Sequence, residues 1–157
     1  MIATLHHVVD ETPVIRTFFF KSERPLRYVA GQFIELTLPH ADPDDRGTRR
    51  WFTLSSAPSH ELISITTKHA EKPSTFKQKL WSLEPGDTVD ISEPMGDFVL
   101  PKDSTQPLVW IAGGLGITPF HSIVQWLQDT KKLHNGQLCL TKGGRLCIIL
   151  MRRGAVR

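Results

Sequence analysis

The sequence predicts an antiparallel β-barrel or sandwich followed by an α/β unit. Residues 1–67 hold short segments rich in β-branched and aromatic residues, separated by turns, which is typical of all-β folds. Residues 108–112 form a continuous apolar run, the pattern of a buried parallel strand. A glycine-rich turn and an amphipathic helical pattern follow at once. The change of pattern predicts a first domain over 1–101, a polar linker over 102–107 and a second domain over 108–157.

Composition and length exclude several classes of protein. The chain has 157 residues, of which 39% are hydrophobic, and this share is too high for intrinsic disorder. The longest clear apolar run, residues 147–151, is far shorter than the ~18 residues that a membrane span needs. The first residues show neither the basic start nor the apolar stretch of a signal peptide. We therefore expect no transmembrane segment and a cytoplasmic location.

Basic charge is concentrated at the C-terminal end. Residues 137–157 contain five basic and no acidic side chains, whereas the formal net charge of the whole chain is only +3. This segment lacks aromatic residues, so nucleic-acid binding is not expected. An interaction segment for an acidic redox partner or a membrane surface is an open alternative. The segment also differs in composition from the rest, which suggests a fragment or an altered reading of a longer gene from residue 137 onward.

Metal binding is not expected. The two cysteines, Cys139 and Cys147, match no zinc or redox spacing. None of the seven histidines has metal-ligand spacing, and the adjacent His6 and His7 are expected on opposite faces of a strand.

The pattern predicts strands and two helices in a definite order. A first helix is expected after Ser74 as N-cap, ending at the turn of residues 84–87. A second helix is expected to begin at Thr118 as N-cap, with Pro119 in its first position and Asn135-Gly136 as a left-handed cap. Its apolar stripe is Phe120, Ile123, Val124 and Leu127, and the predicted strands are 14–20, 33–38, 50–56, 61–67, 88–91, 108–112, 138–140 and 146–151.

Three segments carry residue types that bind phosphorylated ligands. Glycines at 113, 114 and 116 before Thr118 allow a backbone to approach a pyrophosphate at a helix start. Arg50-Trp-Phe-Thr-Leu-Ser-Ser56 combines a phosphate-binding guanidinium, the ring of Phe52 and the hydroxyl of Thr53. Ser74-Thr75 is the third segment. For each of them, a purely local structural role is the alternative at this point.

Taken in order, these segments resemble the ferredoxin–NADP reductase family of flavin oxidoreductases. The family's flavin motif, R-x-[Y/F]-[S/T]-x-x-S, is similar to residues 50–56, and its phosphate-binding helix start resembles Lys72-Pro-Ser-Thr75. Its barrel exit resembles Pro94-Met-Gly-Asp-Phe98, and its nucleotide motif resembles Ala112-Gly-Gly-Leu-Gly-Ile-Thr-Pro119. The resemblance implies an antiparallel, Greek-key, flavin-binding β-barrel followed by a truncated α/β Rossmann-like unit, atypical from residue 137.

The resemblance also implies a function and a site. The function is electron transfer from NAD(P)H through FAD to an acceptor such as ferredoxin, a haem protein or an oxygenase partner. Thr53 takes the catalytic position, hydrogen-bonded near the flavin N5. The implied cofactor-binding residues are Arg50 at the flavin phosphates, Phe52 and Leu54 with Thr53 at the flavin, Ser74 and Thr75 at the pyrophosphate, and Gly113, Gly114, Gly116 and Thr118 at the nicotinamide dinucleotide.

Two departures from the family pattern keep alternatives open. Glu71 stands where the phosphate segment usually begins with glycine, and Glu93 replaces the glycine before Pro94. FMN is therefore the alternative cofactor to FAD. A flavin-binding module without turnover is the alternative function, and a riboflavin-synthase-like barrel is a more distant one. The residues do not distinguish NADH from NADPH, nor do they define the acceptor or the oligomeric state.

Overall fold

A computed structural model describes residues 1–103 and 108–132 in full, together with the backbone of two further strands. No helix in this part of the chain is long and apolar enough to cross a membrane. The elements are β1 (Ile2–Thr12), β2 (Ile15–Ser22), β3 (Phe33–Thr37), β4 (Arg49–Thr53), β5 (Ile63–Lys68), α1 (Thr75–Trp81), β6 (Thr88–Ile91), β7 (Leu108–Gly113), a 3-10 turn (Gly114–Ile117), α2 (Thr118–Asp129), β8 (Gly136–Lys142) and β9 (Arg145–Met151).

The first six strands form the predicted antiparallel barrel. Their order is β4-β3-β6-β1-β2-β5, and a bridge between Leu54 and Ile65 joins the two outer strands. Inward-facing side chains from all six strands build one apolar cluster because alternate residues of a strand share a face. Helix α1 covers this cluster with its buried residues Phe76 and Leu80. As expected, Ser74 is the N-cap, and its hydroxyl accepts a hydrogen bond from the Lys77 backbone N–H at 3.3 Å.

The N-terminal strand departs from the sequence prediction. It is 11 residues long and carries a bulge between Leu5 and His7. A bulge adds one residue to one strand and breaks the strict alternation of faces. His6 and His7 therefore do not point apart, and their Nδ1 atoms lie 2.8 Å from each other. The prediction of opposite faces was wrong because it assumed regular pleating.

The second unit contains the predicted strand, glycine turn and helix. Strand β7 pairs in parallel with β8, as expected, whereas β9 runs antiparallel to β8. Trp110 and Ala112 of β7 pack against the apolar face of α2, and Ala30 of the barrel joins this second cluster. Val109 and Ile111, on the opposite face of β7, are exposed. Residues 104–107 of the expected linker lie outside the described residues, so the domain boundary stays a prediction.

The start of α2 corrects the predicted cap. The N-cap is Ile117, and Thr118 is already the first helical residue. The 3-10 turn runs directly into α2, so the Thr118 hydroxyl donates backwards to the Leu115 carbonyl at 3.1 Å instead of accepting a helical N–H. Pro119 is therefore the second helical residue instead of the predicted first, and it still lies in the first turn. The apolar stripe is also confirmed, with Phe120, Ile123 and Leu127 buried.

The end of α2 is a Schellman motif centred on Lys131. Lys131 has a φ of 52°, its N–H bonds the Gln128 carbonyl, and the Lys132 N–H bonds the Leu127 carbonyl. The expected cap at Asn135-Gly136 was wrong: Gly136 opens β8, and Asn135 lies outside the described residues. The helix ends one turn earlier than its sequence signal because the hydrogen bonds of the Lys131 and Lys132 N–H groups close it there.

Lys131→Gly is expected to stabilise the protein by about 1 kcal/mol. A left-handed backbone strains an L-residue that has a Cβ, and glycine removes this strain. Urea denaturation followed by circular dichroism measures the change. Lys132→Gly is the matched control, since Lys132 is not among the residues with positive φ. An equal effect in both variants contradicts the explanation.

Candidate functional site

Along strand β4, successive side chains of the Arg50–Ser56 segment alternate between the two faces of the sheet. Arg50 pairs with Leu36 and Phe52 with Ile34, so both point to the barrel side of the sheet. Thr53 points to the other face and pairs with Phe33. The strand does not bend between Arg50 and Thr53, so the two side chains leave it in opposite directions.

Arg50 is held rigidly at the mouth of the barrel. Its Nη2 lies 2.5 Å from the Asp44 carboxylate, and its Nη1 donates to the carbonyls of Arg46, Gly47 and Arg49. Its side chain is only 12% exposed, and the guanidinium lies 5.0 Å from the Phe76 ring centroid. Although burial alone would raise it, hydrogen bonds from Arg46 and Arg50 hold the pKa of Asp44 below its ordinary value.

Lys77 lies beside Arg50 and was not singled out from the sequence. Its Nζ lies 5.1 Å from the Phe52 ring centroid and 5.6 Å from the Trp81 ring, and it donates a hydrogen bond to the Thr67 hydroxyl. Burial, reinforced by the charges of Arg46 and Arg50, lowers the pKa of Lys77 to about 8. In the sequence, Lys77 is marked only by its position directly after the aromatic Phe76 in a short predicted helix.

We call Arg46, Arg50, Lys77 and Asp44 the cationic cluster. Three cations and one carboxylate leave a net charge of +2 when Lys77 is protonated. Asp44 forms ion pairs with both arginines, whereas no acidic side chain of the described residues pairs with Lys77. Uncompensated positive charge at a half-buried position favours binding of an anion.

The other predicted barrel residues are engaged in the fold. Phe52 is 9% exposed, and Leu54 is fully buried in the core. Any ligand contact of Leu54 therefore comes from its backbone. The Thr75 hydroxyl lies 3.1 Å from the Nε2 of His40. The roles of these residues toward a flavin stay predictions.

The second candidate site is a cleft of about 370 Å³ between the barrel and the second unit. Strands β2 and β5 and the residues after β4 form one wall, and the 3-10 turn and α2 form the other. The cleft brings Gly114 and Thr118 together with Ser55 and Ser56. The remaining predicted site residues do not line it; they are Arg50, Phe52, Thr53, Leu54, Ser74, Thr75, Gly113 and Gly116.

Direct hydrogen bonds hold the two walls of the cleft in place. The Ser122 hydroxyl, which is fully buried, donates to the Ser56 carbonyl at 2.5 Å, and the His121 Nδ1 lies 2.8 Å from the Ser55 carbonyl. The Tyr28 hydroxyl also donates to the Ser56 carbonyl. Burial raises the pKa of Tyr28 to about 12, so this hydroxyl stays protonated. The cleft therefore has a defined shape.

The glycine turn leaves its backbone open. Gly114 has a φ of +53°, which favours glycine, and a Cβ built on Gly114 or Gly116 meets no atom within 4 Å. Gly113 is extended, as any residue can be. The space above Gly114 and Gly116 fits the close backbone approach that a phosphorylated ligand requires. Among residues 1–103 and 108–132 no group of histidine, cysteine or acidic side chains is arranged to hold a metal ion.

Comparison with known proteins agrees with this architecture. The chain is 34% identical over 134 residues to a flavohemoprotein of Bacillus cereus, a match that covers 79% of this chain and 33% of that protein. The cytochrome P450 reductase GcoB of Amycolatopsis superposes with a TM-score of 0.74 and 25% identity, covering 90% of this chain and 43% of that one. A ferredoxin NADP+ reductase of Neisseria gonorrhoeae shares the fold with a TM-score of 0.72 at 23% identity, covering 89% and 56%. No family model matches the chain.

The fold is an antiparallel barrel followed by the start of a Rossmann-like unit, which is the architecture of these matched proteins. Over most of its length the chain is similar to one part of these ferredoxin–NADP reductase-like proteins. It spans about a third of the length of the curated relatives that it matches.

Proposed function

We propose that the protein is a flavin-dependent oxidoreductase that passes electrons from NAD(P)H through FAD to an acceptor. The similarity to a flavohemoprotein, a cytochrome P450 reductase and a ferredoxin NADP+ reductase supports this proposal, as do the cationic cluster on the barrel and the open glycine turn before α2.

The observation that carries the proposal is the net charge of the cationic cluster. A dinucleotide pyrophosphate has two negative charges, and the cluster offers a complementary +2 on a rigid strand and helix. Arg50 has five N–H donors, and the described residues leave its Nε without a partner. The residues present therefore fit a flavin nucleotide, with Arg50 and Lys77 at its phosphates and Ser74 and Thr75 nearby on α1.

Bound FAD supplies the redox chemistry, since it accepts a hydride and releases electrons singly. The chain contributes binding and orientation. Thr53 directs its hydroxyl away from the barrel core, on the face opposite Arg50, and we assign it the hydrogen bond near the flavin N5. Gly113, Gly114 and Gly116, with Thr118, receive the nicotinamide dinucleotide. No side-chain acid or base is required for hydride transfer between the two.

The acceptor is proposed from the relatives, whose names describe a flavohemoprotein, a cytochrome P450 reductase and a ferredoxin NADP+ reductase. We propose an acceptor of the same kinds: a haem protein, an oxygenase component or ferredoxin. A cytoplasmic location belongs to the same proposal, because NAD(P)H is generated inside the cell.

A flavin-binding module without turnover is the second candidate. The direction of β9 supports this candidate. Because β9 runs antiparallel to β8, the described part of the second sheet has one parallel pair, β7 with β8. A dinucleotide-binding unit of the usual kind is built from several parallel strands.

The experiment that tests the proposed function is the visible spectrum of the purified protein, with chromatography of the flavin released by heat. We expect a flavin band and released FAD. Released FMN contradicts a pyrophosphate at the cationic cluster, and a colourless protein that takes up no added flavin contradicts the function as a whole. Oxidation of NADH or NADPH by the flavin-loaded protein then separates a reductase from a binding module.

A further inference from the structure

Lys77 is the nucleophilic member of the cationic cluster, since the guanidinium groups beside it stay protonated in proteins. The amine is half-buried on α1, and its Nζ lies 5.1 Å from the Phe52 ring centroid and 5.6 Å from the Trp81 ring centroid. Its hydrogen bond goes to the neutral hydroxyl of Thr67. Within residues 1–103 and 108–132 no carboxylate is paired with it. These surroundings favour the neutral amine.

The neutral form of Lys77 becomes populated near neutral pH. Burial, reinforced by the charges of Arg46 and Arg50, lowers the pKa of Lys77 to about 8. At pH 8 about half of the Lys77 amines are therefore neutral, against about 0.3% for a lysine with the ordinary value of 10.5. A desolvated lysine beside other cations is a nucleophile toward carbonyl carbons. The proposed hydride transfer does not use this reactivity.

The neighbouring cations select an electrophile that carries a phosphate. The Arg50 guanidinium lies 5.0 Å from the Phe76 ring centroid, whereas the Lys77 amine lies beside the Phe52 ring. The centroids of these two rings are 6.1 Å apart, so the guanidinium and the amine are neighbours. Arg46 adds a side chain that is 67% exposed. A phosphate held by the two arginines therefore lies next to the amine.

An acyl phosphate matches this arrangement. A single oxygen joins its phosphorus to its carbonyl carbon, so binding of the phosphate by guanidinium groups brings that carbon to the amine. The rings of Phe52 and Trp81 offer apolar surface to a small acyl group.

We propose that Lys77 is a site of acylation by small acyl phosphates, which Arg46 and Arg50 bind through the phosphate. The Nζ lone pair attacks the acyl carbon and forms a C–N bond. The bond from that carbon to the bridging oxygen breaks, and its electron pair leaves with the phosphate. The proton lost by the amine goes to the departing phosphate, so the products are an amide at Lys77 and inorganic hydrogenphosphate.

Acylation changes the charge of the site. It removes the positive charge of Lys77 and lowers the net charge of the cationic cluster from +2 to +1. Under the proposed function, on which this consequence rests, the acylated chain binds FAD about 10-fold more weakly. The modification then couples flavin binding to the supply of acyl phosphate.

The test compares acetyl phosphate with acetic anhydride, a neutral reagent that transfers the same acetyl group. The full chain, freed of any bound flavin, is treated at pH 8, and peptide mass spectrometry measures acetylation rates at Lys77 and at Lys79, the control lysine on the same helix. Acetic anhydride is expected to modify Lys77 about 10-fold faster than Lys79, because lower basicity offsets part of the gain in neutral amine. With acetyl phosphate the expected ratio is about 100-fold, since charge-assisted hydrogen bonds bind its phosphate.

Arg50→Ala separates phosphate binding from nucleophilicity. The ratio of the acetyl phosphate rate to the acetic anhydride rate at Lys77 is expected to fall about 10-fold, and this ratio cancels any change in the amine itself. Arg49→Ala is the matched control and leaves the ratio unchanged, since Arg49 pairs with Glu35. A thermal melt checks folding. Inorganic phosphate added to wild type is an independent measurement: it slows acetylation by acetyl phosphate and leaves acetylation by acetic anhydride unchanged.

Two results overturn the inference. One is an equal rate at Lys77 and Lys79 with acetyl phosphate, and the other is a reagent ratio that neither Arg50→Ala nor inorganic phosphate changes. The proposed function fails separately: it requires FAD to protect Lys77 from both reagents. Undiminished acetylation in the presence of FAD contradicts a flavin nucleotide at the cationic cluster and leaves the acylation site standing.

Discussion

Arg50→Ala is expected to weaken FAD binding about 100-fold. A hydrogen bond between charged groups contributes about 1.5–3 kcal/mol, and the largest value applies where the guanidinium is preorganised. Arg50 meets this condition because Asp44 and three backbone carbonyls fix its guanidinium before any ligand arrives. Flavin fluorescence titration measures the dissociation constant. Arg50→Lys is expected to be intermediate, since lysine keeps the charge and loses the planar fork.

Arg49→Ala is the matched control for this prediction. Arg49 is adjacent on β4, carries the same charge and pairs with Glu35, and its side chain is 67% exposed. If general attraction of the anion by the barrel surface explains binding, the two alanine variants weaken it equally. An equal loss therefore contradicts a specific role of Arg50.

Lys77→Met is expected to stabilise the ligand-free protein by about 2 kcal/mol and, at the same time, to weaken FAD binding. The lowered pKa of Lys77 means that the folded state disfavours its charge, and methionine removes that charge while retaining the apolar stem. The figure includes a discount for the partial exposure of the side chain. Urea denaturation measures stability, and flavin titration measures affinity.

The pH dependence of stability provides an independent signature of Lys77. Below pH 8, Lys77 is protonated in the folded and unfolded states, so the full cost of burying its charge lowers the free energy of unfolding. From about pH 8 toward the ordinary value of 10.5, the folded protein has already lost the proton that the unfolded chain still binds. The free energy of unfolding of wild type should therefore rise over this range, relative to that of Lys77→Met.

FAD affinity should change in the opposite direction, because neutral Lys77 no longer attracts phosphate. The dissociation constant of wild type is expected to increase above pH 8. Lys79→Met, on the same helix and outside the cationic cluster, is the control. If Lys79→Met and Lys77→Met show the same stability and the same pH profile, Lys77 has no special role at the phosphates.

The fold and the orientation of the candidate site residues on β4 and α1 follow largely from the amino-acid pattern. Alternation along β4 predicts that Arg50 and Phe52 share one face and that Thr53 takes the other. Helical spacing predicts the apolar face of α2, and the capping propensity of Ser74 predicts the start of α1. These features depend on neighbours within one turn or one strand, which the sequence displays directly.

The ends of α2 and the bulge of β1 are decided by the tertiary structure. Thr118 and Asn135-Gly136 have the right chemistry for caps, yet a preceding 3-10 turn and the left-handed Lys131 supply the actual ends. A bulge at His6 likewise depends on how β1 pairs with β2. Local propensity is worth about 1 kcal/mol, so packing overrides it.

The composition of both candidate sites also depends on the tertiary structure. Barrel closure and the docking of α1 place Lys77 beside Arg50, although 26 residues separate them in the chain. His121 and Ser122 reach the backbone of Ser55 and Ser56 only because α2 packs against the residues that follow β4. Whether a charge is desolvated, or a hydroxyl left without a partner, is set by surrounding atoms from distant segments. No pattern of neighbouring residues carries that information.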